Sequence, residues 1–206
     1  MLSSLSKFTL SCLLLVGFSG SAHASSTAQE CQSTGNYLLE QRIKDGDKEA
    51  QFYLGKKLTS EACNDKTLRR GLLLLDDLVA NDHSAALFEL GKLLIISSLT
   101  EAQIAEGTDF IRQSAQLGFA QAEELYGLLL IEKSQGSDER DQAMYWIGSA
   151  ANKGLSSAAQ VASFLYKHGM HGIEPDICIA SLWEEAAFLI ANPSETEHAD
   201  ASNTCH

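Results

Sequence analysis

Proline is scarce: two residues in 206. Long stretches also lack strand-like alternation, so little interrupts helical segments and the chain reads as all-α. Cations are scarce as well. Fifteen Lys and Arg against 27 Asp and Glu leave a formal net charge of -12, which argues against nucleic acid as a partner, since no face has cations to release phosphate counterions. An acidic surface admits a cationic partner, and it equally serves solubility. Catalytic signatures are missing: no H-E-x-x-H, no P-loop and no dinucleotide glycine fingerprint. After the amino-terminal segment no apolar run approaches the roughly 18 residues of a transmembrane helix.

What is present begins with an export signal. Lys7 supplies a positive start, Phe8–Phe18 an apolar stretch too short to span a bilayer, and Ala22-His23-Ala24 an A-x-A cleavage site. Residues 1–24 are expected to be removed after Ala24, giving a periplasmic or secreted protein. Cys12 lies inside the apolar stretch rather than at the cleavage point, which speaks against lipidation. The remaining cysteines are Cys31, Cys63, Cys178 and Cys205. An even number in an exported chain reads as disulfides. Four cysteines allow three connectivities; local staples Cys31–Cys63 and Cys178–Cys205 are favoured by the clustering of one pair near each end. A thiol redox or metal centre would want a C-x-x-C pair, and there is none.

The dominant signal is a repeat of 36 residues. Ala50, Leu54 and Gly55 return as Ala86, Leu90 and Gly91, then as Ala122, Tyr126 and Gly127, and finally as Ala158, Ala162 and Ser163. Two amphipathic segments fill each period, the signature of a helical solenoid. Gly46, Asp82, Gly118 and Gly154 share a column that suits a left-handed helix end. In the second segment, Gly71, Gly107 and Ala143 form a small-residue column followed by Leu74, Phe110 and Trp146. The fourth repeat offers Ala180 and Trp183 one residue late, with an extra residue in the loop Gly169-Met170-His171-Gly172. Small columns let helices approach while large ones fill the grooves between them, so Trp146 and Trp183 read as core residues.

The expected organisation follows: residues 1–24 signal peptide, 25–44 a lead and an amino-terminal capping helix, 45–192 the solenoid, and 193–206 a polar tail begun by the helix-stopping Pro193. In the fourth repeat, Tyr166-x-x-Gly169, Gly172-Ile173-x-x-Asp176 and Ala180-x-x-Trp183-x-x-Ala186-Ala187 resemble the Sel-one-like repeat, and Ala143, Trp146, Ala150, Ala151 and Gly154 resemble it in the third. The first two repeats keep Leu-Gly and lose the Tyr-x-x-Gly loop and the Trp. The resemblance implies a right-handed α-solenoid of about four tetratricopeptide-like hairpins, with the columns above structural. It also implies an adaptor or scaffold that engages a protein or peptide on its concave face, in envelope assembly or regulation.

Some cysteine-rich relatives of that family are linked to β-lactam binding and hydrolysis, which makes a cell-wall or β-lactam hydrolase the alternative. Those relatives carry paired cysteines within each repeat, which this chain lacks, and its one Ser-x-x-Lys, Ser4 to Lys7, falls in the signal segment. No catalytic residue and no cofactor are assigned. Candidate partner-binding residues on the first helix of the repeats are Gln51, Glu89, Glu123 and Gln160. His168 and His171, near Glu174, Asp176 and Cys178, are the one cluster with metal-ligand chemistry; loop position explains them equally well, and no metal site is assigned. The acidic pairs Asp76-Asp77, Glu123-Glu124 and Glu184-Glu185 point about 100° apart on a helix and read as solvated faces. Oligomeric state is left open.

Overall fold

The computed structural model describes residues 36–98 and 100–198. The expected signal peptide, Cys31 and Cys205 lie outside the described residues, as do most of the lead and the end of the tail. Among those described, all regular structure is helical. The helices are α1 (Asn36–Lys44), α2 (Lys48–Ser60), α3 (Asp65–Val79), α4 (Ser84–Ser97), α5 (Glu101–Gln116), α6 (Ala120–Lys133), α7 (Ser137–Asn152), α8 (Ser156–His168) and α9 (Ile177–Ala191), with 3-10 turns at Met170–Gly172 and Pro193–His198. Two compact units divide between Leu90 and Gly91, inside α4.

The first helix of each hairpin starts at Lys48, Ser84, Ala120 and Ser156, every 36 residues. Ala50, Ala86, Ala122 and Ala158 each stand two residues inside these helices, and each is 0% exposed. They occupy equivalent places, as the column requires.

The turn column has one geometry in all four places. Gly46, Gly118 and Gly154 have φ of +84°, +84° and +90°, and Asp82 has +55°. At the first turn the Gly46 N–H donates to the Ile43 carbonyl and the Asp47 N–H to the Arg42 carbonyl, both at 3.0 Å. The same pair of bonds closes the others, through Asp82 and His83, Gly118 and Phe119, and Gly154 and Leu155. These are Schellman motifs, which satisfy the last carbonyls of the preceding helix with a residue held left-handed. A side chain at that φ costs about 1–2 kcal/mol, less for Asp than for most residues. Nothing lies within 4 Å of a Cβ built at Gly154. Gly154→Ala is therefore expected to lose about 1–2 kcal/mol from backbone strain alone. Asp82→Gly should gain up to about 0.5 kcal/mol, because relief of strain is partly offset by greater freedom in the unfolded chain. Urea melts of the two variants check both signs.

Within each hairpin, small residues put the helices in contact. A Cβ at Gly91 would lie 2.8 Å from the Gly107 carbonyl oxygen, and one at Gly107 would lie 2.8 Å from that of Gly91. Gly127 faces Ile147 and the Ala143 carbonyl in the same way, and Gly55 faces Leu75 and Gly71. Leu75, Ile111 and Ile147, all 0% exposed, fill the space beside these crossings. In the second unit this packing grows into a core of Ile131, Ile147 and Leu165 among Ala143, Ala150, Ala158 and Ala162, with Trp183 at its edge. Trp146 is half-buried and meets the Tyr126 ring edge-on at 5.6 Å.

The fourth hairpin departs from the period by more than the one residue its sequence suggests. Helix α9 starts at Ile177, 40 residues after Ser137 opens α7. Eight residues, 169–176, replace the first turn of the helix. Gly169 and Gly172 adopt φ of +63° and +76°, and a Cβ at Gly169 would lie 2.5 Å from the Pro175 ring. Ile173 turns into the core. Asp176 accepts from the Ile179 N–H at 2.9 Å, and its own N–H donates to the Tyr166 carbonyl at 2.9 Å. Proline followed by a capping aspartate delays the helix start. Each residue that carried the family resemblance in this loop has a structural part.

Candidate binding groove

In the second unit an apolar groove of about 700 Å³ lies between α6 and α8. The 36-residue period makes these two helices equivalent and sets matching stripes side by side. From α6 come Leu128, Ile131 and Glu132, spaced i, i+3, i+4; from α8 come Ser157, Gln160, Val161, Phe164 and Leu165. Such spacings place side chains on one helical face. Met170 and His171, from the turn that follows α8, close one end. Ile131 and Leu165 are buried and form the floor, whereas Phe164 is 52% and Met170 40% exposed. At the other end the Ser157 hydroxyl donates to Glu124 across the two helices at 3.2 Å. Exposed large apolar side chains lining a concavity are the usual mark of a binding surface.

The four residues singled out from the sequence have different surroundings. Gln160 is exposed and lines the groove. Gln51 donates from its amide to the Leu74 carbonyl at 3.0 Å and to the Asp77 carboxylate at 2.8 Å, tying α2 to α3. Glu89 is 9% exposed and pairs with Lys56 at 2.7 Å. Glu123 is 3% exposed and accepts from the Lys153 ammonium at 2.7 Å, which also donates to the Gly118 carbonyl at 3.0 Å. Leu128, Phe164, Glu124 and Glu132 were not singled out. The signal for one of them was there: Glu124 is the repeat equivalent of Gln160.

A smaller cleft, about 190 Å³, lies between α5 and α6 beside Thr108, Tyr126 and Leu129. Two of its charges, Asp109 and Arg112, are matched to each other. Asp109 accepts from the Arg112 guanidinium and from the Gln113 amide, and the guanidinium beside it holds the Asp109 carboxyl below the usual carboxylate range. The histidines of the loop are separated in use. His168 packs its ring on Phe164 at 4.5 Å, and His171 sits at the groove's end. Among the described residues no group of three or more His, Cys, Asp or Glu is placed to hold a metal ion. Among the same residues no helix is long and apolar enough to cross a membrane.

No family model and no curated protein matches the sequence. Solved structures do. A Sel1 repeat protein from Oxalobacter formigenes superposes with a TM-score of 0.62 at 19% identity, over 74% of this chain and 62% of that one. A protective antigen of uropathogenic Escherichia coli with an SLR fold gives 0.60 at 22%, over 74% and 32%. An immunity protein from Pseudomonas aeruginosa gives 0.55 at 16%, over 77% and 58%. The chain thus spans less than two thirds of each. Together with the period, the buried alanine column and the glycine crossings, the likeness identifies the fold as an all-α solenoid of Sel1-like repeats.

Proposed function

We propose that the chain is an exported protein-binding adaptor or scaffold, and that it engages a partner protein or peptide in the α6–α8 groove, between the first helices of its third and fourth repeats. The carrying observation is the exposure of Phe164 and Met170 over a buried apolar floor. Burying a side chain such as Phe164 in a complex would contribute about 2 kcal/mol, a reason for a partner to settle there. Binding rather than catalysis suits a groove whose lining is mainly Leu, Ile, Val, Phe and Met. The expected amino-terminal signal is what supports a periplasmic or secreted site for this activity, with service in envelope assembly or regulation.

The same proposal pairs Cys31 with Cys63 and Cys178 with Cys205, the two local staples expected of an exported chain. Peptide mapping without reduction would report it, and the intact mass of protein from the export compartment should begin at Ser25. For the binding itself, a photocrosslinking amino acid at Gln160 in the expressing cell should trap a discrete partner. The same substitution at Lys66, exposed on α3, should not. Phe164→Glu should reduce the Gln160 crosslink at least tenfold, as loss of a buried anchor does, with unchanged helicity by circular dichroism. Equal crosslinking at both positions, or indifference to Phe164→Glu, would count against the groove.

A further inference from the structure

Building on that reading, we infer that the groove selects a basic–apolar peptide: a segment of a foreign protein carrying large apolar side chains with a lysine or arginine beside them. The apolar half follows from Leu128, Val161, Phe164 and Met170. The basic half follows from how the carboxylates of these helices are disposed. On α6 the carboxylate turned away from the groove is matched, Glu123 by Lys153 at 2.7 Å. The two beside it, Glu124 and Glu132, have no ion-pair partner among the described residues, and Glu124 accepts only the neutral Ser157 hydroxyl. A partner's cation next to them gains attraction strengthened by the adjoining apolar wall, which keeps the local dielectric low. His171, the one lining group able to become cationic, stands at the end closed by Met170.

Charge also decides between occupants. The chain's own tail, Ser194–His206, carries Glu195, Glu197 and Asp200 and no Lys or Arg, so it would bring like charge to Glu124 and Glu132. A second copy has the same net charge of -12 and is disfavoured for the same reason. A cationic partner is steered in instead.

The test is selection from a random dodecapeptide display library on the full exported chain in parallel with three variants: Phe164→Glu, the double variant Glu124→Gln/Glu132→Gln, and Glu123→Gln as a control away from the groove. Wild type should enrich peptides pairing Leu, Ile, Phe or Met with Lys or Arg. A synthetic winner, titrated by fluorescence anisotropy, should lose roughly tenfold in Kd with the double Gln variant, mainly through the on-rate and with a flatter salt dependence. The Gln variants keep the apolar wall, so circular dichroism should show them folded. Peptides without Lys or Arg, or affinity and salt dependence that survive the double variant, overturn the basic–apolar assignment while leaving the groove in place. Winners that bind Phe164→Glu as well as wild type overturn the groove itself. Winners rich in Asp and Glu would instead favour the tail or another copy.

Discussion

Gly127→Ala is expected to destabilise the protein by about 2–3 kcal/mol, a large effect for one added methyl group. The new Cβ would stand 2.7 Å from Ile147 Cγ1 and 2.8 Å from the Ala143 carbonyl oxygen. The second obstacle is backbone, and only a shift of α6 against α7 relieves it. Gly91→Ala should behave alike, with the Gly107 carbonyl at 2.8 Å. Gly55→Ala should be milder, within about 1 kcal/mol of wild type, because alanine's helix propensity returns about 1 kcal/mol and the obstruction can move. There the close atoms, both at 2.9 Å, belong to the Leu75 side chain, while the Gly71 carbonyl is 3.3 Å away. Thermal melts of the three variants supply the ranking. Equal losses at Gly55 and Gly127 would mean that backbone approach is not what the glycines serve.

Ile147→Ala should cost about 3–4 kcal/mol, the range for emptying a fully enclosed site. Ile147 is 0% exposed, and its neighbours in the core are mainly alanines, already small and unable to swing inward. Collapse around the lost atoms would require helices to move, since alanine has no side-chain rotamer to adjust. The substitution should also be non-additive with Gly127→Ala, because one removes the atom the other would strike. The double variant is expected to be more stable than the sum of the two losses by about 1 kcal/mol, the usual coupling between touching residues. It stays well below wild type, since the Ala143 carbonyl still opposes the new methyl group. Denaturant melts of the four proteins close the cycle, and simple additivity would separate the two residues.

Much of this architecture was legible beforehand because it rests on steric requirements tied to sequence spacing. A buried alanine is required wherever two helix backbones approach, and a residue tolerant of positive φ wherever a helix ends in a Schellman turn. Both recur every 36 residues, so Ala50, Ala86, Ala122 and Ala158 could be aligned, and so could Gly46, Asp82, Gly118 and Gly154. The fourth hairpin was read less well. Its small and large columns were found one residue late, but the removal of the first turn of α9 depends on Pro175 and Asp176 acting together with the left-handed Gly169.

The groove was the least legible part. Gln51, Glu89, Glu123 and Gln160 all lie on the first helices of their hairpins, yet they belong to three different columns, and adjacent columns differ by about 100° around the helix axis. Glu123 and Glu124 show the consequence: one is enclosed on Lys153 and the other stands beside the groove. By itself the sequence determined the repeat, the helix ends and the small contacts, because each answers to local geometry that spacing encodes. The tertiary structure alone decided which polar residues meet a neighbouring helix and which meet solvent, because the roll of each helix is set by side chains packed against it from distant parts of the chain.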